Sequence, residues 1–158
     1  MDDELPRILN RVYFFLKFRP RSEREVERYL AEWGKKRGWT TDQQSQVVVH
    51  LKERNLINDQ EFVEWFVEQR SLHKPKGERA LRMELMRYGI PKDIIDGYFS
   101  KSPPDEEMLA QQALASKWKR YTNFPYLERT KKAYSYLARK GFSFAIIKKT
   151  VAKMEGNE

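Results

Sequence analysis

Apolar residues recur at helical spacing along almost the whole chain, with polar residues between them. Ile8, Val12, Phe15 and Leu16 share one face of a first helix, which Arg19-Pro20 must end because Pro cannot continue the hydrogen-bond ladder. Ser22 starts a second helix, with Glu25 three residues on to complete a capping box and Val26, Leu30 and Trp33 as its buried face; Gly34 and Gly38 are expected to close it. Thr40, Thr41 and Asp42 all offer N-caps for a third helix carrying Val47, Val48 and Leu51. Asn58 and Asp59 can cap a fourth, with Phe62, Val63, Phe66 and Val67 on one stripe, and Ser71 to Gly77, with Pro75, is expected to be a loop.

Leu81, Leu85 and Tyr88 follow at i, i+4 and i+7, and Gly89 can take the left-handed conformation that stops the fifth helix. Pro91 then sits near the start of a sixth, whose apolar set is Ile94, Ile95, Tyr98 and Phe99. Beyond Ser102-Pro103-Pro104, the acidic run Asp105 to Glu107 favours the first turn of a seventh helix bearing Leu109, Ala113 and Leu114. Tyr121 to Pro125 breaks it; an eighth helix runs from about Tyr126 to Gly141 and a ninth from about Ser143 to Met154. No run alternates with period two, so the pattern predicts an all-α chain.

The pattern repeats. At an offset of 52 residues, Leu81, Leu85, Gly89, Ile90, Ile94 and Ile95 fall on Ala133, Leu137, Gly141, Phe142, Ile146 and Ile147; at 55 in the other direction, Gly77, Leu81 and Leu85 fall on Ser22, Val26 and Leu30. The nine helices therefore read as three tandem three-helix repeats, over 1–57, 58–102 and 103–158. One such unit is small for a core of its own, so the repeats are expected to stack into an elongated, curved row.

Composition narrows the function. The chain has 158 residues, no cysteine and a formal net charge of +8. Disulfides and thiolate metal sites are excluded, and the default compartment is the cytoplasm. The apolar run Val12 to Leu16 is far too short to span a membrane and has no signal-peptide layout. Basic excess in residues 1–37 and 73–158 flanks an acidic segment, a distribution that suits a polyanion or an acidic protein groove and equally a soluble helical protein. No nucleophile with a base, Gly-rich phosphate loop or ligand cluster is present; His50 and His73 are isolated, and Glu61, Glu64 and Glu68 read as a solvated strip. The chain is expected to be no enzyme and to need no cofactor.

Several segments together resemble the RecX family of recombination regulators: Arg19-Pro20-Arg21-Ser22; Leu56 to Val63; Gly77 with Glu84 to Ile90; and Tyr136 to Ser143. The resemblance covers nearly the whole chain. Asn58 stands where the first member of an acidic pair is expected before Phe62, and the Gly34–Gly38 linker is longer and more basic than the pattern. The resemblance implies a non-enzymatic, cytoplasmic regulator of homologous recombination, DNA repair and the SOS response. Such a protein binds the RecA recombinase filament on single-stranded DNA and inhibits its ATPase, filament growth and strand exchange. A monomer is expected, with basic faces within reach of single- or double-stranded DNA. A helical-repeat protein that binds nucleic acid without RecA is the alternative.

Candidate contact residues are the basic positions on outer faces. Arg79 recurs as Arg24 and Lys131, and Arg87 as Arg139, so these and Arg82 would form a stripe suited to phosphates or an acidic groove; a solvated face is the plain alternative. Lys117, Lys119 and Arg120 interleave with Trp118 and Tyr121, a base-stacking composition, although the spacing also places both aromatics in the core one turn after Leu114. Lys74 and Lys76 belong to a basic loop, and Lys140 adjoins Arg139. Met83 and Met86, between arginines, are expected to pack on a neighbouring repeat.

Overall fold

In the computed structural model, which describes residues 3–156, nine α-helices and no strands are found among the described residues. They are α1 (Leu5–Leu16), α2 (Glu23–Arg37), α3 (Thr41–Glu53), α4 (Asp59–His73), α5 (Glu78–Arg87), α6 (Lys92–Lys101), α7 (Glu106–Tyr121), α8 (Tyr126–Arg139) and α9 (Phe144–Met154). Local chemistry sets most of the ends. Ser22 Oγ accepts the Glu25 N–H at 3.1 Å while the Glu25 carboxylate accepts the Ser22 N–H at 3.1 Å, and Thr40 with Gln43 forms the same reciprocal box. Asp105 and Ser143 cap α7 and α9.

Two boundaries differ from the pattern. Gly34 lies inside α2, buried where Gln44 of α3 packs over it, and Gly38 alone ends the helix, in the left-handed conformation at φ 75°. The supposed linker Lys35-Lys36-Arg37 is thus the last turn of α2. The supposed loop from Ser71 is shorter, since α4 runs on to His73, and the Ser71 hydroxyl bonds the Val67 carbonyl at 2.9 Å within the helix.

The chain divides into two compact units: residues up to Trp65 with Leu85–Ile95, and Phe66–Glu84 with the chain from Asp96 onward. The division runs through α4, α5 and α6. In the first unit Ile8, Val12, Val26, Leu30, Val47 and Leu51 are almost entirely buried, with Trp39 and Ile57 beside them. The second is built on Leu109, Ala113, Leu114, Tyr121, Ala133, Leu137, Phe142 and Ile147. Tyr121 lies in that core and Trp118 packs against it, so the core account of these aromatics holds. Each fully buried Leu contributes about 2 kcal/mol by leaving water.

Each unit contains one instance of the same helix-end junction. In the first, the C-terminal end of α5 meets the N-terminus of α2: Ser22 Oγ–H donates to the Tyr88 carbonyl at 2.7 Å, and Asp59 Oδ1 accepts the Glu23 N–H at 2.9 Å. In the second, the C-terminal end of α8 meets the N-terminus of α5: the Gly77 N–H donates to the Lys140 carbonyl at 2.8 Å, and Glu106 Oε1 accepts the Glu78 N–H at 2.8 Å. Orphan carbonyls at a negative helix end thus face orphan N–H groups at a positive one. The paired polar residues before Phe62 and Leu109 divide the work. Asn58 caps its own helix through the Glu61 N–H at 3.2 Å and Asp105 caps its own through Met108, while Asp59 and Glu106 each cap a helix of the preceding repeat. Asn caps as well as Asp, so the Asn58 departure costs nothing at that position.

Candidate nucleic-acid and partner interface

On α8 the residues Glu128, Lys131, Lys132, Ser135 and Arg139 fall at i, i+3, i+4, i+7 and i+11, opposite the buried Ala133 and Leu137. They face the end of α7, and with Arg120, Tyr121 and Phe124 they line a concave basin of about 610 Å³. Arg120, Lys131, Lys132 and Arg139 have no carboxylate within salt-bridge distance among the described residues, and the Lys132 ammonium lies 4.6 Å from the centre of the Phe124 ring. Glu128 is the one acid among the described residues that line the basin. The C-terminal end of α7 adds negative helix-dipole character, which helps hold these cations together. What the basin offers is an open set of positive donors beside an aromatic ring, suited to phosphate oxygens or carboxylates.

The structure thus brings Arg120, Lys131 and Arg139 together and adds Lys132 and Ser135. These two were legible as members of the same α8 stripe, but nothing in the spacing alone places the end of α7 opposite them. The other expected positions separate by role. Arg82 donates to Glu78 at 2.9 Å and to Asp96 at 2.6 Å and lies over the Phe99 ring, which makes it a tie between α5 and α6. Its hydrogen bond to Asp96 is the main reason its pKa rises above the ordinary guanidinium value. Lys76 pairs with Glu84, which also accepts from Arg70 at 2.9 Å. Burial pushes the Glu84 carboxyl up, but the bonds from Lys76 and Arg70 outweigh it, leaving its pKa below the usual carboxylate value.

Lys117 and Lys140 approach the ring of Tyr136, 5.8 and 5.6 Å from its centre. Arg24 is exposed as a residue, with its Cβ, Cγ and Nε packed over the Gly89 turn. Lys74, Arg79, Arg87 and Lys119 are exposed and make no ion pair among the described residues. Met83 and Met86 do not pack as expected: they are 49% and 65% exposed. No group of three or more metal-ligating side chains occurs among the described residues, and no helix there is long and apolar enough to cross a membrane.

Comparison with known proteins places this architecture. The model of the RecX second three-helix domain matches residues 58–97, and that of the RecX third three-helix domain matches residues 105–151, together more than half the chain. The chain belongs to the RecX family. The regulatory protein RecX of Mycolicibacterium smegmatis is 30% identical over 148 residues, covering 90% of this chain and 77% of that protein. RecX of Prosthecochloris aestuarii is 29% identical over 161 residues and is matched over 99% of both chains. Against RecX of Streptococcus equi subsp. zooepidemicus, 30% identical, the chain spans only 52% of the relative's length, so RecX proteins of about twice this length exist. The crystal structure of RecX from Lactobacillus salivarius superposes with a TM-score of 0.81 at 22% identity, covering 98% of this chain and 99% of that one. A second RecX crystal structure gives 0.79 at 23% identity, covering 94% of this chain. The all-α repeat fold is thus that of RecX, a family of regulatory proteins.

Proposed function

We propose that this protein regulates homologous recombination by binding the RecA recombinase filament on single-stranded DNA and lowering its ATPase, filament growth and strand exchange, with no chemistry of its own. Residues 1–57, 58–102 and 103–158 would serve as its three repeats. The observation that carries the reading is the α7–α8 basin, four cations on a concave surface with no carboxylate among the described residues within salt-bridge distance, in a chain of the RecX family. A filament groove presents both phosphates and acidic side chains, and the basin's open donors suit either.

The test is the DNA-dependent ATPase of RecA, measured with single-stranded DNA in large excess over the regulator. The wild-type chain is expected to suppress turnover, and Lys131→Glu with Arg139→Glu is expected to weaken suppression about tenfold or more, at unchanged melting temperature. Suppression that disappears only because free DNA draws the regulator away would favour the second reading, a nucleic-acid-binding module that acts without RecA. Phe124 and its neighbouring cations are what favour that alternative.

A further inference from the structure

The first repeat carries a second surface stripe that neither the core nor the proposed function uses. On α1, Ile8 and Val12 face the core, and Arg7, Arg11, Phe14 and Phe18 follow another line at spacings of four, three and four residues, Phe18 lying just beyond the helix end. Phe14 and Phe18 are 62% and 65% exposed and meet edge to face, with ring centres 5.1 Å apart and planes at 84°. Arg11 stacks on Trp33 of α2 at 3.9 Å, so one face of its guanidinium is covered and its N–H edge is left for a partner. Beside the stripe lies an open depression of about 600 Å³ lined by Arg7, Arg11, Phe14, Arg37 and Trp39; Glu4, also in its lining, lies 3.7 Å from the 81%-exposed Arg7 side chain and accepts from the Trp39 indole N–H at 3.3 Å. Lys36 and Arg37 also approach Trp33, at 5.2 and 5.5 Å.

We propose that this α1 stripe docks an acidic amphipathic helix of a partner protein. Three features select that occupant. A four-three-four spacing is the seam along which two helices interlock, and its eleven residue-to-residue steps span about 16 Å, some three turns of a partner helix. Its two ends differ in chemistry: guanidinium edges suit carboxylates in two-point hydrogen bonds, and the exposed phenyl pair needs apolar cover. The partner helix therefore carries Asp or Glu on one turn and Leu-like residues on the next along the same face. A single strand of nucleic acid fits less well, because stacked bases need aromatic faces presented in parallel and these two rings stand nearly perpendicular.

The experiment uses the full chain and no recombinase, so its outcome is independent of the proposed regulatory partner. The probe is a helix-stabilised, fluorescein-labelled peptide of about 20 residues carrying Glu, Glu, Leu and Leu at the seam spacing. A peptide of the same composition with scrambled spacing and an oligo-dT strand are read beside it by anisotropy. The seam peptide is expected to bind at least about tenfold more tightly than the scrambled one, and Phe14→Ser and the pair Arg7→Glu, Arg11→Glu are each expected to lose that advantage. Both variants are checked for wild-type melting, and a Lys-for-Glu seam peptide is expected to restore binding to the charge-reversed one. Equal affinity for seam and scrambled peptides, or affinity indifferent to Phe14→Ser, overturns the proposal. Oligo-dT binding that falls with Phe14→Ser and is not displaced by the seam peptide overturns it in favour of nucleic acid.

Discussion

The two helix-end junctions perform the same task with different amounts of room. At the α5–α2 junction the approach is bridged by a side chain: the Ser22 hydroxyl fills the gap to the Tyr88 carbonyl, and a Cβ added to Gly89 would first meet the Cβ and Cγ of Arg24, 2.5 and 2.6 Å away. At the α8–α5 junction the backbones touch directly. Gly77 donates its own N–H to Lys140, a Cβ on Gly77 would lie 2.3 Å from the Gly141 carbonyl oxygen, and one on Gly141 would lie 2.5 Å from the Ala80 amide nitrogen. The Arg24 Cβ is fixed to the α2 backbone, so both junctions resist an added methyl, at Gly89 through the root of one side chain and at Gly77 through a backbone carbonyl. Ser22 and Gly77 are therefore equivalent in the repeat without being interchangeable.

The largest expected effect separates the two junctions. Gly77→Ala should cost about 3 kcal/mol, because the Gly141 carbonyl must shift, and Gly89→Ala about 2 kcal/mol, from its positive φ of 78° and from the Arg24 Cβ, which moves only with α2. Denaturant unfolding of both variants checks this, and equal losses would mean the two junctions are equally pliant. Next comes Ser22→Ala, which removes a fully buried hydroxyl that both donates to Tyr88 and accepts from Glu25. It should lose about 1 to 2 kcal/mol, against less than about 0.5 for Asn58→Asp, where one good cap replaces another.

The smallest effect is on the acid limb of stability. Glu84, with Lys76 and Arg70, has a folded pKa below the ordinary 4.5, so its stabilisation is fully present above that value and is lost as pH falls through the folded pKa. Asp59 works the other way: burial raises its pKa above 3.8 despite the Glu23 N–H, so its ionisation opposes folding as pH rises through that region. Glu84→Gln should accordingly flatten the fall in melting temperature between about pH 5 and 3, and Asp59→Asn should steepen it. An unchanged acid limb in Glu84→Gln would remove the Arg70–Glu84–Lys76 group from the account.

Much of the fold was written in local chemistry. The periodicity of Leu81 and Leu85, the Ser22–Glu25 box and the Gly turns at 89 and 141 follow from helix geometry within a few residues, and each forms as expected. The candidate interface was legible only in part. Helix-face counting picked out Lys131 and Arg139 but could not distinguish them from Arg82, because Arg82 is neutralised by Asp96, fourteen residues away on another helix. The separate expectation that Met83 and Met86, on the outer side of the same helix, pack on a neighbouring repeat does not fit their 49% and 65% exposure.

What the sequence determined by itself is therefore most of the helical residues, the apolar face of most helices and most of their ends, since caps and 3.6-residue periodicity act over one or two turns. Only the tertiary structure decided which carboxylate caps another repeat's helix, which cations keep their charge free and how closely two backbones approach at Gly77 and Gly141. Those outcomes depend on distances between groups from 14 to 66 residues apart, and no local spacing rule encodes them.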